Sequence, residues 1–358
     1  MKYVKLGDIC SKGVSSLRQK DTLPVGDYPV YGASGICGYL SDYQHNEPYV
    51  AVVKDGAGVG RVQLCSGKSS VLGTLQALLP KEEVNCEYLY EVVRSLNLGD
   101  GFTGSTIPHI YFKDYKNRTV VIYEKEQQTK ITVLFSAVKN VIELHKLAIS
   151  TCDKLVKSRF VEMFGNSEWP RETIGDIATD IRYGTSRKAS ESGKYVYLRM
   201  NNLTDDGHLD FSDVKAIDLD DDELEKCMVM KGDLLFNRTN SREKVGKTAV
   251  FLEDVPMVIA GYIIRVRLSS KMDSEFLVQF MNLPTTKAML RSMAKGAVHQ
   301  ANINSKELAG IKVPVPPISL QQEFISFVHQ VDKLKFDFDF LVSFKIPSIC
   351  LLCLELDP

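Results

Sequence analysis

Apolar and polar positions along this chain follow two rhythms. From Glu126 to Phe164 there is neither Pro nor Gly. Apolar residues recur there every three to four positions: Ile131, Leu134 and Phe135, Val138, Val141 and Ile142, Ala148 and Ile149, Cys152, then Leu155 and Val156. That spacing lays a broad apolar stripe along a helix. At 1.5 Å per residue the helix is about 57 Å long. Gly165 and Asn166 read as its stop, with Pro170 just beyond. The stripe needs a partner, and a second helical pattern offers one. Leu320, Phe324, Phe327, Val331, Leu334, Phe338 and Leu341 follow an alternating four-three spacing, the signature of a coiled-coil seam. Pro347 ends that pattern. Elsewhere short apolar runs break at Gly and polar residues. Tyr49 to Val53, Arg61 to Cys65, Asp233 to Phe236 and the stretch from Tyr197 read as strands.

The rhythms come in duplicate. Lys5-Leu6-Gly7-Asp8-Ile9 is echoed by Thr173-Ile174-Gly175-Asp176-Ile177. Gly104-Ser105-Thr106 leads on to Gln127-Gln128, and Gly296-Ala297-Val298 leads on to Gln321-Gln322. A helical pattern follows each Gln-Gln pair. The unit is therefore globular head, helix, globular head, helix. The offset is 168 residues at the openings and about 193 at the ends, so the second head is longer by about 25 residues. Two related but non-identical heads on helical spacers predict a reader of two sites.

The bulk numbers change this picture little. A chain of 358 residues supports two to three domains, and 44% apolar with 25% charged residues is ordinary for a soluble protein. The net charge is -1. Residues 1–125 carry 14 Lys/Arg against 13 Asp/Glu, and residues 166–318 carry 21 against 22. Neither head is basic, so any nucleic-acid face must come from local segregation of charge. Eight cysteines show no paired spacing except Cys350 and Cys353, which lack a second pair for a metal knuckle. With no signal peptide and no bilayer-length apolar run, the expected setting is the reducing cytoplasm, away from membranes.

Several catalytic motifs fail on inspection. Gly56-Ala57-Gly58-Val59-Gly60 leads into a strand, so no helix dipole awaits a dinucleotide phosphate. Gly67-Lys68-Ser69 and Gly246-Lys247-Thr248 end like a phosphate-binding loop, but its first glycine falls on Val62 and on Ser241. Pro316-Pro317 is followed by Ile318 and belongs to a linker, unlike the Pro-Pro-aromatic loop of amino-methyltransferases. No nucleophilic triad has supporting context. His145 in the helix stripe reads as packed or partly exposed.

Three stretches together carry a resemblance: Gly104-Ser105-Thr106-Ile107-Pro108-His109-Ile110, then Gly232-Asp233-Leu234-Leu235-Phe236-Asn237-Arg238, then Ile311-Lys312-Val313-Pro314-Val315-Pro316-Pro317 with Gln321-Gln322. In order, spacing and duplication the chain resembles the specificity subunit of a type I DNA restriction–modification system, through about residue 335. The resemblance implies an α+β fold of two related α/β target-recognition domains at residues 1–125 and 166–318. Spacer helices at 126–165 and 319–345 would pair as an antiparallel coiled coil that holds the heads apart. Ile131, Val138, Ile142 and Ile149 would face Leu320, Phe324, Phe327, Val331 and Leu334. It also implies a non-catalytic chain that binds double-stranded DNA and recruits two methyltransferase subunits and a restriction/translocase subunit. S-adenosylmethionine, ATP and Mg would sit on those partners and not on this chain. Residues 346–358 depart from the pattern, reading as an atypical tail of a truncated or rearranged form.

Within that reading, polar loops at strand ends are the DNA-facing candidates. In the second head Asn237, Arg238, Thr239, Asn240, Ser241 and Arg242 follow an apolar strand. Arg pairs two-pronged with guanine and Asn with adenine. Lys244 and Lys247 suit phosphates. Arg187, Lys188, Arg199, Asn201 and Asn202 form a second group, and Lys295 with His299, Gln300 and Asn302 a third. In the first head the matching places are Lys54 to Arg61 and Ser105 with Thr106, where glycines let backbone approach another surface. Two other readings stay open: a coiled-coil adaptor that binds proteins through both heads, and a catalytic DNA methyltransferase or nuclease.

Overall fold

The computed structural model describes residues 1–101, 108–165, 169–297 and 300–342, with side chains at 297, 300 and 337–342 left aside. The described chain forms two compact units, one ending at Leu144 and the other beginning at His145. In the first unit, strands Cys10–Lys12, Leu75–Pro80, Tyr49–Val53 and Val62–Cys65 make an antiparallel sheet in that order. The strand Tyr49–Val53 is buried throughout because both its faces are covered. Val50 and Val52 enter one core with Leu78 and Leu89, while Tyr49, Ala51 and Val53 enter another with Val30 and Leu75. Its unbroken apolar run is thus the two-residue period of a strand read on both sides. A second, smaller sheet pairs Tyr28–Gly32 antiparallel with Gly35–Leu40 and parallel with Ser70–Val71. Strand Lys2–Lys5 pairs antiparallel with Thr119–Ile122 and clasps the two ends of the head together.

The second unit repeats this plan. Strands Ala178–Tyr183, Ile263–Leu268, Leu234–Asn237 and Thr248–Val250 form an antiparallel sheet of the same order. Strand Tyr195–Leu198 pairs antiparallel with Lys215–Ile217 and parallel with Met257–Ile259, as in the smaller sheet of the first unit. Strand Arg171–Thr173 clasps Lys312–Pro314. Leu234 and Phe236 enter one core and Leu235 another. The two hairpins at the centre also turn alike. Gly60 donates its N–H to Val53 and Gly246 donates to Asn237, with φ near +82° and +81°. Any larger residue is strained there. A Cβ on Gly60 would also meet backbone of Gly99 at 2.1 Å.

The helix Lys125–Phe164 contributes to both units, and the second long helix runs Ile318–Val342. In the second unit they pair antiparallel. Phe160 and Phe324 stack edge to face with centroids 5.3 Å apart, while Asp153 and Lys335 form an ion pair at 2.8 Å. The seam is broader than a heptad. Phe324, Ile325, Val328 and Val331 are buried with Val156, Phe160 and Phe164, while Leu320 and Phe327 are partly buried beside them. Leu334, expected in the seam, is 53% exposed, because Lys335 and Asp332 occupy the inward side at that turn. Ile131 packs on the core of the first head, which includes Tyr88, Leu89 and Val93 of the helix Cys86–Ser95. Val138, Ile142 and Ile149 are only half-buried, and Leu134, Val141, Leu144, Leu147 and Leu155 are exposed. Phe338, Leu341 and the Cys350 and Cys353 pair lie outside the described side chains.

Each long helix is tied to its head by one glutamine. Gln128 accepts from Asn85 N–H and donates to the carbonyls of Glu83 and Tyr123 at 2.8–2.9 Å. Gln321 accepts from Asp273 N–H and donates to the carbonyls of Lys271 and Pro316. Both side chains are fully buried. The offset between them is 193 residues (321 minus 128), so structure matches the second Gln of the first pair with the first Gln of the second.

Candidate nucleic-acid interface

The central hairpins bring the predicted polar loops to the same place in each unit. Lys54 and Arg238 both follow the central buried strand. The carbonyl of Lys54 accepts from Ile110 N–H, and that of Arg238 accepts from Ile303 N–H at 2.9 Å. The backbone just before those isoleucines therefore lies alongside each hairpin, at His109 in one unit and Asn302 in the other.

In the second unit these contacts build a small three-stranded sheet from Thr239–Asn240, Gln300–Asn302 and Lys295–Ala297. Beside it an open recess of about 430 Å³ is lined by Arg238, Thr239, Tyr262, Lys295, Gly296 and Asn302. The Arg238 guanidinium lies over the Tyr183 ring at 4.8 Å, a cation–π contact that orients it. The Thr239 hydroxyl donates to Asn302 Oδ1 at 2.9 Å. That bond fixes the plane of the Asn302 amide and leaves its NH₂ group for another acceptor. Tyr183 and Tyr262 are exposed beside them. Sequence reading placed Lys295 and Asn302 nearby and missed both tyrosines, which lie far from the hairpin in the chain.

The rest of the expected set separates. Asn237 and Asn202 are 0% and 1% exposed, which removes them from any DNA surface. Asn237 caps its own strand end by accepting from Thr239 N–H, and Asn202 ties a loop through Arg199 N–H and the Asp210 carbonyl. Lys247 is turned inward, bonded to the Leu203 carbonyl and paired with Asp205 at 3.1 Å. Arg61, its counterpart, donates to the Ala33 carbonyl at 3.0 Å. Both basic residues thus brace the hairpin against a loop of the smaller sheet. Arg187 pairs with Asp220 and Glu223, while Arg199 and Asn201 both engage Asp213. Asn240 accepts from Ser241 N–H, and Ser241 in turn accepts from Lys244 N–H. Arg242, which reaches the Arg291 carbonyl, Lys188 and Lys244 are exposed. Ser105, Thr106 and His299 lie outside the described residues, as does the side chain of Gln300.

Behind the second hairpin, Lys287 donates to the Gly246 carbonyl at 2.7 Å. Burial pushes its ammonium down to about 8, opposed by Asp205 and reinforced by Lys247 and Arg291. In the first unit Lys54 lines an open recess of about 480 Å³ with Lys12, Lys113 and Lys116. Burial lowers its affinity for a proton, Asp55 opposes that, and Lys12 adds to it.

Chemistry of the thiols is muted. Burial pushes Cys10, Cys65 and Cys86 up to about 12, so they stay neutral at physiological pH. Among the described residues no group of three or more His, Cys, Asp and Glu side chains is placed to hold a metal. No helix among them is long and apolar enough to cross a membrane.

Comparison with known proteins explains the duplicated plan. The family model for the type I restriction modification DNA specificity domain matches residues 1–151 and again 166–339. The chain belongs to this family. It is similar to the putative type I restriction enzyme MjaX specificity subunit of Methanocaldococcus jannaschii, 26% identical over 171 residues, 47% of this chain and 40% of that protein. It is also similar to the EcoKI specificity subunit of Escherichia coli, 30% identical over 170 residues, 46% of this chain and 36% of that protein. The matched stretches thus span under half the length of either relative. In fold it is similar to the type I restriction-modification S subunit of M. genitalium, with a TM-score of 0.56 and 15% identity, over 98% of this chain and 93% of that one. Specificity-family membership agrees with two heads that repeat one topology but differ at the hairpin.

Proposed function

We propose that the chain is the DNA-specificity subunit of a type I restriction–modification complex in the cytoplasm, and that each head reads one half of a split DNA site. The observation that carries this reading is the matched position of Lys54 and Arg238 on one repeated scaffold. The same backbone presents Lys54 and His109 in one head, Arg238 and Asn302 in the other. The same scaffold carries unlike side chains in the two heads, which suits two unlike half-sites. Arg238 suits a guanine edge and Asn302 an adenine edge. The chain itself is a recognition part and carries no catalytic step. Methyltransferase subunits with S-adenosylmethionine and a restriction/translocase subunit with ATP and Mg would supply the chemistry. The exposed Leu144, Leu147 and Leu155 on the first long helix support docking of such subunits, since apolar helix positions open to solvent mark protein-binding faces.

Methylome sequencing of cells with and without the gene tests this. Loss of one split, asymmetric adenine-methylation motif is expected. An unchanged methylome, with the helices still capturing proteins, would favour the adaptor reading, which the near-zero net charge also suits.

A further inference from the structure

The two hairpin sites are chemically unequal. In the first unit the recess is lined by Lys12, Lys54, Lys113 and Lys116 with Gln76, Tyr111 and Phe112, and among the described residues by no carboxylate. Among the described residues none of the four lysines forms an ion pair within 4 Å. Lys113 lies over the Tyr111 ring at 5.4 Å. Four like charges converge from three parts of the chain onto one opening. At Lys54 burial disfavours the ammonium, Asp55 opposes that, and Lys12 adds to it. Such a cluster is relieved by an anion. The second unit does not keep it. Lys12 pairs in register with Leu78, and the residue holding that place in the second sheet, opposite Val266, is Ile181. Lys116 packs its carbonyl on Gly7, where Ala309 packs on Gly175. Lys54 gives way to Arg238, and only Lys113 keeps a lysine, Lys306, one residue before the capping acid. A lysine ammonium is a compact point charge that suits phosphate and lacks the fork that pairs with guanine.

We propose that Lys12, Lys54, Lys113 and Lys116 form a phosphate clamp on the DNA backbone, so that this face of the first unit grips where its counterpart in the second unit reads bases. The proposal rests on the DNA-specificity reading and deepens it. The clamp adds affinity on any sequence and carries none of the sequence choice.

The test measures DNA affinity of the full chain, assembled with its methyltransferase subunits, against salt concentration. Wild type is compared with a variant carrying Lys12→Gln, Lys54→Gln, Lys113→Gln and Lys116→Gln. Each lost phosphate contact flattens the plot of log affinity against log salt by about 0.9. Between 50 and 200 mM salt, wild type should then lose about 100-fold more affinity than the variant. The loss should be equal on cognate and scrambled DNA, and the methylated motif should not change. Four Lys→Arg changes at the same positions should restore the slope, which separates lost charge from lost folding. An unaltered slope in the Gln variant sinks the clamp, and so does a changed base in the motif. Calorimetry with inorganic phosphate distinguishes a soluble-anion site. Tight phosphate binding by wild type, lost in the variant with DNA affinity intact, would overturn the backbone assignment. If wild type prefers no DNA sequence at all, the specificity reading fails and the clamp with it. If wild type is specific and the variant matches it at every salt concentration, the clamp alone fails.

Discussion

Arg238 and Asn302 are separated by 63 intervening residues, yet line one recess. The sequence marked Arg238 because it follows an apolar strand, a signal that is local. It marked Asn237 and Asn202 for the same reason, and there the local signal misled. A polar side chain that caps a strand end or locks a loop reads like one that faces solvent, since only the tertiary fold decides which is buried. The distinction has a measurable result. Arg238→Ala should cost about 1–3 kcal/mol at one base position and leave the others unchanged, read by the methylated motif and by binding to single-base variants. Equal weakening on every sequence would make Arg238 a phosphate contact instead. Lys287, behind the same hairpin, offers a pH test. Its folded pKa of about 8 lies below its ordinary 10.5. A depressed lysine penalises the folded state while protonated, so the penalty is full below about pH 8 and fades as the pH rises toward 10.5. Relative to a Lys287→Met variant, wild type should therefore gain stability across that window in denaturant melts. A difference independent of pH would show that Lys287 is not depressed.

At the scale of elements, the long helices were plain in the sequence because their period is regular over many turns. The exposed leucines were not, because an apolar stripe does not say which of its turns are covered. The Gln-Gln pairs were visible as punctuation, without a reason. The structure supplies one: a single buried amide in each pair satisfies one N–H and two carbonyls where the helix leaves its head. Gln128→Leu should leave those three groups buried and unpaired, costing on the order of 3 kcal/mol, as should Gln321→Leu. Replacing the neighbours Gln127 or Gln322, both exposed, should cost less than about 0.5 kcal/mol. Equal losses at all four positions, measured by thermal or denaturant melts, would contradict this assignment.

For the whole molecule, duplication was the legible feature and charge the misleading one. A net charge of -1 hides a lysine recess, because Lys12 and Lys113 lie a hundred residues apart in sequence and meet only when the sheet closes. Local segregation gives a small basic footprint, so the isolated chain should bind DNA weakly and with little discrimination. Its affinity should rise once methyltransferase subunits add phosphate contacts, as gel-shift titration with and without them would report. Tight, selective binding by the chain alone would contradict this. The clasp that closes each head has a consequence for synthesis on the ribosome. Within the first head, Lys2–Lys5 is made before every other strand, and its partner Thr119–Ile122 is the last. That strand must stay unpaired until residue 122 emerges, and closing so long a loop is slow. Arg171–Thr173 then waits in the same way for Lys312–Pro314. Because the first clasp is complete before the second has begun to form, two near-identical plans are assembled in turn, and a strand of one has little chance to be borrowed by the other.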